Sequence, residues 1–291
     1  MFKFGFLSGE AEKGGDAEDA GTKPETPKVA STQCFPVEPT VKKQELDVIK
    51  IQGETFKKRN FLGEKTELKD IVSRSDVVSS LYEGGFKLWE CAVDLVTYLM
   101  EQAKANKQLN PKGKRVAEIG CGHGLPGVYC LKQGASYVAF QDLNHQVLEN
   151  CTYANILLNT EIVHQDLRGS TKGPPFGLFA GDWSSQELSN LLLPDTLSQY
   201  DLILTSDTLY SPTYYPCLLA MIVRLLAKNG VALIAAKRYY FGVDGSTTGF
   251  MDYCRKTRSD IDVQSVRTFE DHSSNIREIL TLTWQRKAQV K

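Results

Sequence analysis

With 291 residues, 42% of them hydrophobic, the chain is long enough to bury one large core. Its 34 basic and 35 acidic residues leave a formal charge of −1, which excludes a global electrostatic pull toward nucleic acid or an anionic membrane. Seven scattered cysteines, odd in number and never in a CxxC pair, argue against a disulfide framework or a zinc site, so no metal is expected.

No segment offers 18 uncharged apolar residues, and MFKFGFLSGEAEKGG is too short and interrupted for a signal peptide. A soluble intracellular protein with reduced thiols is expected. Within that N-terminal stretch, FKFGF (2–6) alternates Phe2, Phe4 and Phe6, the pattern of a short strand or docking peptide, with a sticky but idle terminus as the alternative. Residues 8–45 are poor in large apolar side chains, so 1–45 is expected to be a disordered tail and 46–291 a single domain with an N-terminal helical extension.

DVIKIQ and KTELKDIV give short strand or loop pieces, followed by a helix over KLWECAVDLVTYLMEQA (87–103). There Leu88, Cys91, Ala92, Leu95, Val96 and Leu99 recur at helical spacing. Strand and helix then alternate. RVAEI (115–119) is a strand, GLPGVYCLKQG a helix ending at Gly134, YVAFQD (137–142) a strand, and HQVLENCTYANILLN (145–159) a helix with Asn144 as its N-cap. FGLFAGDW (176–183) and DLILT (201–205) are strands, 214–230 a helix closed by Gly230, and VALIAA (231–236) a strand. Nearly continuous apolar strands between helices indicate a parallel sheet covered on both faces, whereas VQSVRTFE and IREILTLTW, with no helix between them, predict a closing antiparallel hairpin.

RVAEIGCGHGLPG carries the strongest chemical signal. Gly120, Gly122 and Gly124 follow a strand and open a helix, so the backbone can turn tightly and approach a ligand. GHGLPG also satisfies G-x-G-x-x-G, which keeps a dinucleotide pyrophosphate in play. Three acids at strand ends favour a different ligand. Glu118 precedes the turn, where a negative charge would repel pyrophosphate but suit an ammonium and sulfonium. Asp142 lies roughly 20 residues on, placed for ribose hydroxyls. Asp182 can accept the exocyclic amine of adenine while Trp183 covers the ring, although the same acid could cap a turn and the same indole could be core. His123 is expected to be a loop side chain facing solvent.

With these residues in hand, the chain resembles the seven-strand S-adenosylmethionine-dependent methyltransferases over roughly residues 70–284, and more narrowly the histidine protein methyltransferase 1 homologues. The narrower likeness rests on SDVVSSLYEGGFKLWEC (75–91), FQDLN (140–144), GDW (181–183), DLILTSDTLY (201–210) and KRYYFGVDG (237–245). The resemblance implies an α/β fold: a doubly wound, seven-stranded Rossmann-like methyltransferase sheet with a C-terminal antiparallel hairpin. It implies S-adenosyl-L-methionine as cofactor, with contacts from Leu88, Trp89, Glu90, Cys91, Ala92, Gly120, Gln141, Asp142, Leu143, Gly181, Asp182, Trp183 and Ser206; Glu118 and Gly122 join them on the reading of the glycine turn. Two departures stand out, Glu118 where Asp is common and Asp207 where Glu is often seen.

In a doubly wound sheet the ligand lies beyond the carboxyl ends of the strands, which puts Asp207 and Tyr210 of TSDTLYSP beside the cofactor. They are the expected catalytic pair: Asp207 accepts the N–H of the histidine nitrogen that is not attacked, and Tyr210 contacts the substrate. The alternative is that both only cap and pack the next helix. Tyr239, Tyr240 and Phe241 could wall the substrate or fill core, and Glu83-Gly84-Gly85 could hinge a lid. The expected function is protein-histidine N-methylation, with the resemblance implying a ribosomal protein as target; the reduced thiols suit cytoplasm and nucleus, the balanced charge and the lack of a long apolar run leave no nucleic-acid or membrane partner, and a monomer is the default expectation. A lysine-directed protein methyltransferase of the same fold and a non-catalytic cofactor-binding module are the alternatives.

Overall fold

The computed structural model describes residues 30–34, 46–61, 77–78, 81–162, 174–194, 198–270 and 275–285. FKFGF, KTELKDIV, His164 and His272 lie outside these residues.

Among the described residues ten strands run in chain order: β1 (Thr32–Cys34), β2 (Leu46–Ile51), β3 (Glu54–Arg59), β4 (Arg115–Ile119), β5 (Tyr137–Asp142), β6 (Phe176–Ala180), β7 (Tyr200–Ser206), β8 (Leu226–Lys237), β9 (Ile261–Phe269) and β10 (Arg277–Trp284). Eight of them form one sheet in the order β1-β6-β5-β4-β7-β8-β10-β9. The five from β6 to β8 pair in parallel, while β10 pairs antiparallel with both β8 and β9. The expected parallel sheet and closing hairpin are therefore present, and among the described residues the sheet carries an eighth strand beside the seven expected. The extra one is β1, antiparallel to β6 with Thr32 opposite Ala180. It falls inside the 1–45 segment expected to be disordered, because strand pairing satisfies backbone groups that the side chains of a polar stretch do not predict.

Alternation along each strand splits the core between two faces. In β4, Val116 packs with one cluster while Ala117 and Ile119 join the other. The first face is covered by α1 (Glu90–Gln102), α2 (Leu125–Lys132) and a helix built from α3 (His145–Val147), a π-helical turn (Leu148–Thr152) and α4 (Tyr153–Asn159). From α1, Cys91, Leu95, Val96 and Leu99 are wholly buried, each large aliphatic contributing roughly 1.5–3 kcal/mol. The other face takes α5 (Gln186–Leu192), α6 (Tyr215–Leu225) and α7 (Thr247–Thr257).

Several expected boundaries move. Helix α6 ends at Leu225 instead of Gly230, since Leu226 is already extended (φ −76, ψ 120) and pairs with Tyr200. Asn144 stands at the N-cap position of α3, but its side chain makes no capping bond; its amide donates to the Leu81 carbonyl. Strands β2 and β3 form a separate hairpin whose two-residue turn, Gln52 (φ 46) and Gly53 (φ 88), matches strand twist. Asn155 and Asn159 of α4 accept the Arg59 and Lys57 backbone N–H groups, docking that hairpin on the first face.

The chain runs outward from β4 through β5 to β6, then returns to the other side of β4 as β7. That reversal opens a crevice at the carboxyl ends of β4 to β7.

Candidate active site

At the end of β4 the backbone passes through left-handed conformations at Gly120 (φ 63), Gly122 (φ 50) and Gly124 (φ 67) before α2 begins. A Cβ on Gly120 would sit 2.8 Å from Thr208 Cγ2 and 3.3 Å from Trp183 Cζ2, so the bare backbone is what lets these three strand ends close together. Gln141, fully buried at the end of β5, stitches them. Its Oε1 accepts from the Gly120 N–H (3.2 Å) and the Trp183 indole (2.8 Å), and its Nε2 donates to the Gly181 carbonyl (2.8 Å). Next to it, Asp142 Oδ2 accepts from the Gly122 N–H at 2.9 Å. Burial pushes the Asp142 carboxyl up to about 6, against the opposing pull of the Gly122, Asn144 and Leu143 backbone donors.

These groups floor a cleft of about 810 Å³, a figure that includes its open mouth. Of the expected cofactor residues, Leu88, Trp89, Ala92, Gly120, Gly122, Asp142, Leu143, Gly181, Asp182, Trp183 and Ser206 line it, as do Asp207 and Tyr210. Asp182 does cap a turn, its Oδ1 accepting from the Ser184 N–H (2.7 Å) and hydroxyl (2.6 Å), yet it also faces the cleft. Among the described residues the lining offers four carboxylates (Glu83, Asp142, Asp182 and Asp207) against one lysine, Lys87. Such a surface fits a nucleoside carrying a cationic tail and disfavours a pyrophosphate.

Four expected contacts fall elsewhere. Glu90 is exposed on α1 and Cys91 is buried beneath it, so only their neighbours reach the cleft. Gln141 acts from underneath, through Trp183 and Gly120. Glu118 points away because alternation along β4 turns it toward α2, where its Oε2 accepts the Gly127 N–H at 2.7 Å. A Cβ on Gly127 would overlap Phe140 and crowd that carboxyl. Burial, partly offset by Gly127 and reinforced by Asp142, lifts the Glu118 carboxyl to about 8, so at neutral pH it is mostly uncharged and offers a sulfonium no anion.

His123 is buried instead of facing solvent. Its Nε2 lies 2.9 Å from the Phe86 carbonyl and its Nδ1 3.2 Å from the Asn155 amide, an environment suited to a neutral ring donating from Nε2. Burial draws its pKa down to about 4.

At the mouth, Asp207 adopts a left-handed backbone (φ 55) that turns its carboxylate toward protein donors. Oδ2 accepts the Cys91 N–H in the first turn of α1 (3.1 Å), Oδ1 accepts the Tyr240 hydroxyl (2.8 Å), and Lys237 Nζ lies 3.5 Å from Oδ1. Both oxygens of Asp207 thus already hold protein partners, and the residue lines the cleft as well. Tyr240 is buried core, while Tyr239 and Phe241 project outward.

A different acid faces the phenols. Glu83 accepts the Tyr210 hydroxyl at Oε2 (2.6 Å) and the Tyr214 hydroxyl at Oε1 (2.8 Å), and all three line the cleft. Burial, reinforced by Glu83, pushes Tyr210 well above the usual phenol range. The sequence singled out Glu83 only as a neighbour of the Gly84-Gly85 hinge, and Tyr214 only as the start of a helix. The one available signal was the recurrence of tyrosine at 210 and 214, close to the strand end, with the helical turn beginning only at Pro212.

A doubly wound sheet, a glycine turn and an acid-lined crevice at the switch point together define the S-adenosylmethionine-dependent methyltransferase class, with S-adenosyl-L-methionine as cofactor. A solved Streptococcus mutans structure assigned to that class aligns with a TM-score of 0.54 at 12% identity, covering 86% of this chain and 57% of the other. More narrowly, a lysine methyltransferase profile matches residues 79–256, and the chain belongs to that family. It is 37% identical over 219 residues to a histidine protein methyltransferase 1 homolog of Dictyostelium discoideum, covering 75% of this chain and 63% of that one. A Bos taurus protein of the same name is 38% identical over 247 residues, covering 80% and 63%. The chain therefore spans about 63% of the length of these relatives.

Proposed function

We propose that this chain transfers a methyl group to an imidazole nitrogen of a protein histidine, with a ribosomal protein as the target, acting as a monomer in cytoplasm and nucleus without contacting nucleic acid. The names of its relatives support a histidine acceptor, and the near-zero net charge suits a protein substrate. The observation that carries the choice of acceptor is the likeness to relatives named histidine protein methyltransferase 1 homologues, and the protonation chemistry of the acceptor is consistent with it. A lysine, with a pKa of about 10.4, arrives charged and needs a base, whereas a histidine at about 6.5 arrives largely neutral. Tyr210 is held as a neutral phenol, unsuited to serve as that base.

The residues that would hold the cofactor are Asp142 toward the ribose, Asp182 and Trp183 toward adenine, and the backbone around Gly120. When bound, S-adenosylmethionine supplies an electrophilic methyl on a sulfonium, a good leaving group. The chain's task is then to seat the ring, keep one nitrogen lone pair aimed inward and exclude water. On transfer the ring nitrogen's lone pair would form the new N–C bond, the C–S electron pair would remain with the departing thioether, and the ring's remaining N–H proton would pass to water. Asp207 holds the N-terminus of α1 to the strand end, and Trp183, Tyr210 and Tyr214 line the place where the ring would lie.

Labelled S-adenosylmethionine, the full chain and eukaryotic cell extract, followed by hydrolysis and amino-acid analysis, test the reading. Methylhistidine is expected; methyllysine without methylhistidine would reject it in favour of the lysine alternative. Calorimetric titration with S-adenosylhomocysteine tests the non-catalytic alternative, which predicts no turnover despite heat of binding.

A further inference from the structure

We propose that Tyr239 and Phe241 form a docking ledge at the rim of the cleft, on which an apolar side chain of the substrate polypeptide rests while a nearby histidine enters. The proposal rests on the protein-histidine reading above and deepens it, naming the surface that selects a polypeptide carrying the acceptor over the acceptor alone.

The ledge follows β8. Along Tyr239-Tyr240-Phe241, alternation turns Tyr240 inward, where it is buried, and sends its two neighbours out. Phe241 is 69% exposed, the most exposed large apolar side chain among the described residues, and Tyr239 is 40% exposed. Their rings meet edge to face with centroids 5.1 Å apart. Tyr240 and Val243 of the same loop both pack on the second core cluster, so the fold turns Phe241 away from a core its neighbours reach. An exposed aromatic pair adds little to folding, whereas aromatic rings are enriched at the centres of protein interfaces.

The bonds that shape the loop also place it. The Tyr240 hydroxyl donates to Asp207 Oδ1 (2.8 Å), the Gly245 N–H to the Tyr210 carbonyl (3.1 Å), and the Tyr240 N–H closes the loop on the Gly245 carbonyl (2.8 Å). Asp207 and Tyr210 both line the cleft, so Phe241 stands one residue from a side chain that touches its wall. On the outer side, the Tyr239 hydroxyl donates to Asp244 Oδ1 (3.0 Å) and the Asn275 amide to the Tyr239 carbonyl. The ledge is held in place before anything binds, which spares a partner the cost of ordering it.

Charge and reach identify the occupant. The cleft beside the ledge is lined by Glu83, Asp142, Asp182 and Asp207, which would repel the phosphates of a nucleic acid or an anionic membrane. On the ledge itself, Arg238 is paired with Glu278 (2.9 Å) and Asp244 holds the Tyr239 hydroxyl, so ring surface meets the partner. An apolar side chain suits that surface. An extended chain advances roughly 3.3 Å per residue, so this side chain lies only a few residues from the histidine.

The test uses the full chain, labelled S-adenosylmethionine and protein extract from cells lacking this enzyme, whose acceptors are unmethylated. Phe241→Ser should raise the extract concentration needed for half-maximal methylhistidine formation roughly 5- to 20-fold, as for loss of one interface anchor. Phe241→Leu, which keeps apolar surface, should recover most of that loss. S-adenosylhomocysteine affinity by calorimetry should stay within about twofold in both variants. Val48→Ser, which removes a comparably exposed side chain from the β2–β3 hairpin, should change neither quantity. Unchanged half-saturation in Phe241→Ser, an equal rise in Val48→Ser, or a rise matched by lost S-adenosylhomocysteine affinity overturns the ledge and leaves histidine methylation standing. Sedimentation showing a wild-type dimer that Phe241→Ser dissolves, with half-saturation unchanged, assigns the surface to a second copy of this chain and overturns the ledge as well. A wild type that makes methyllysine alone, with the same Phe241→Ser shift, overturns the histidine reading and keeps the ledge; a wild type that methylates no protein overturns both.

Discussion

Replacing Glu118 with glutamine should change how stability responds to pH in a way that can be worked out beforehand. The carboxyl lies wholly inside the protein, bonded to the Gly127 N–H through one oxygen while the other finds no partner among the described residues. Its pKa rises from an ordinary 4.5 to about 8. A raised acid binds a proton in the folded state that the unfolded chain has lost. Its contribution is therefore fully present below pH 4.5 and is lost as pH rises toward 8. Across that window the wild type should lose about 1.4 kcal/mol per pH unit from this group alone, amounting to about 3 kcal/mol by pH 7. Glu118→Gln has no proton to lose, so the stability difference, mutant minus wild type, should grow in the mutant's favour by that slope. Urea denaturation of both proteins at half-unit steps from pH 5 to pH 8 measures it, and titrations elsewhere cancel in the difference. A difference that stays flat over this range would mean that Glu118 is ionised in the folded protein, and the account of the glycine turn given above would fail.

Further outcomes follow from other groups. His123, drawn down to about 4, contributes stability that is complete above pH 6.5 and lost as pH falls through 4, about 3 kcal/mol in all; acid unfolding of His123→Gln, followed by circular dichroism, should start at lower pH. Lys237→Met removes the cation facing nearly buried Asp207 and should cost about 3–5 kcal/mol, most of it recovered when Asp207→Asn is added; a double-mutant cycle in urea decides. A Cβ at Gly245 would overlap the Leu209 carbonyl and the Tyr210 backbone, so Gly245→Ala should cost about 2 kcal/mol or more and displace Tyr210, lowering melting temperature and methyl transfer together.

The fold was legible where burial and period agree. RVAEI, YVAFQD and DLILT are strands because both sheet faces are covered, and the two C-terminal runs had no helix between them to permit parallel pairing. Less legible were elements whose support is tertiary. Strand β1 is three polar or small residues that need β6 as a template, and α7 is polar on average, with Thr247, Phe250 and Cys254 its buried residues. In the crevice, the ends of β5 and β6 could be read because acids there are conspicuous among apolar neighbours. Glu118 misled because a strand's alternation, not its proximity to the turn, decides which face an acid meets. Glu83 and Tyr214 escaped because they are 131 residues apart along the chain and become partners only through the sheet reversal.

Strand β10 has a partner on each side, although it follows both of them along the chain. During synthesis β8 must therefore wait with an open edge, and β9 with no neighbour at all, until the segment from Arg277 to Trp284 slides between them. Assembly of this half of the molecule runs against the order in which it is made. A break just ahead of Arg277 would remove two strands from the sheet rather than one, and would bare the flank of β8, whose far end carries Lys237 and through it the ion pair with Asp207.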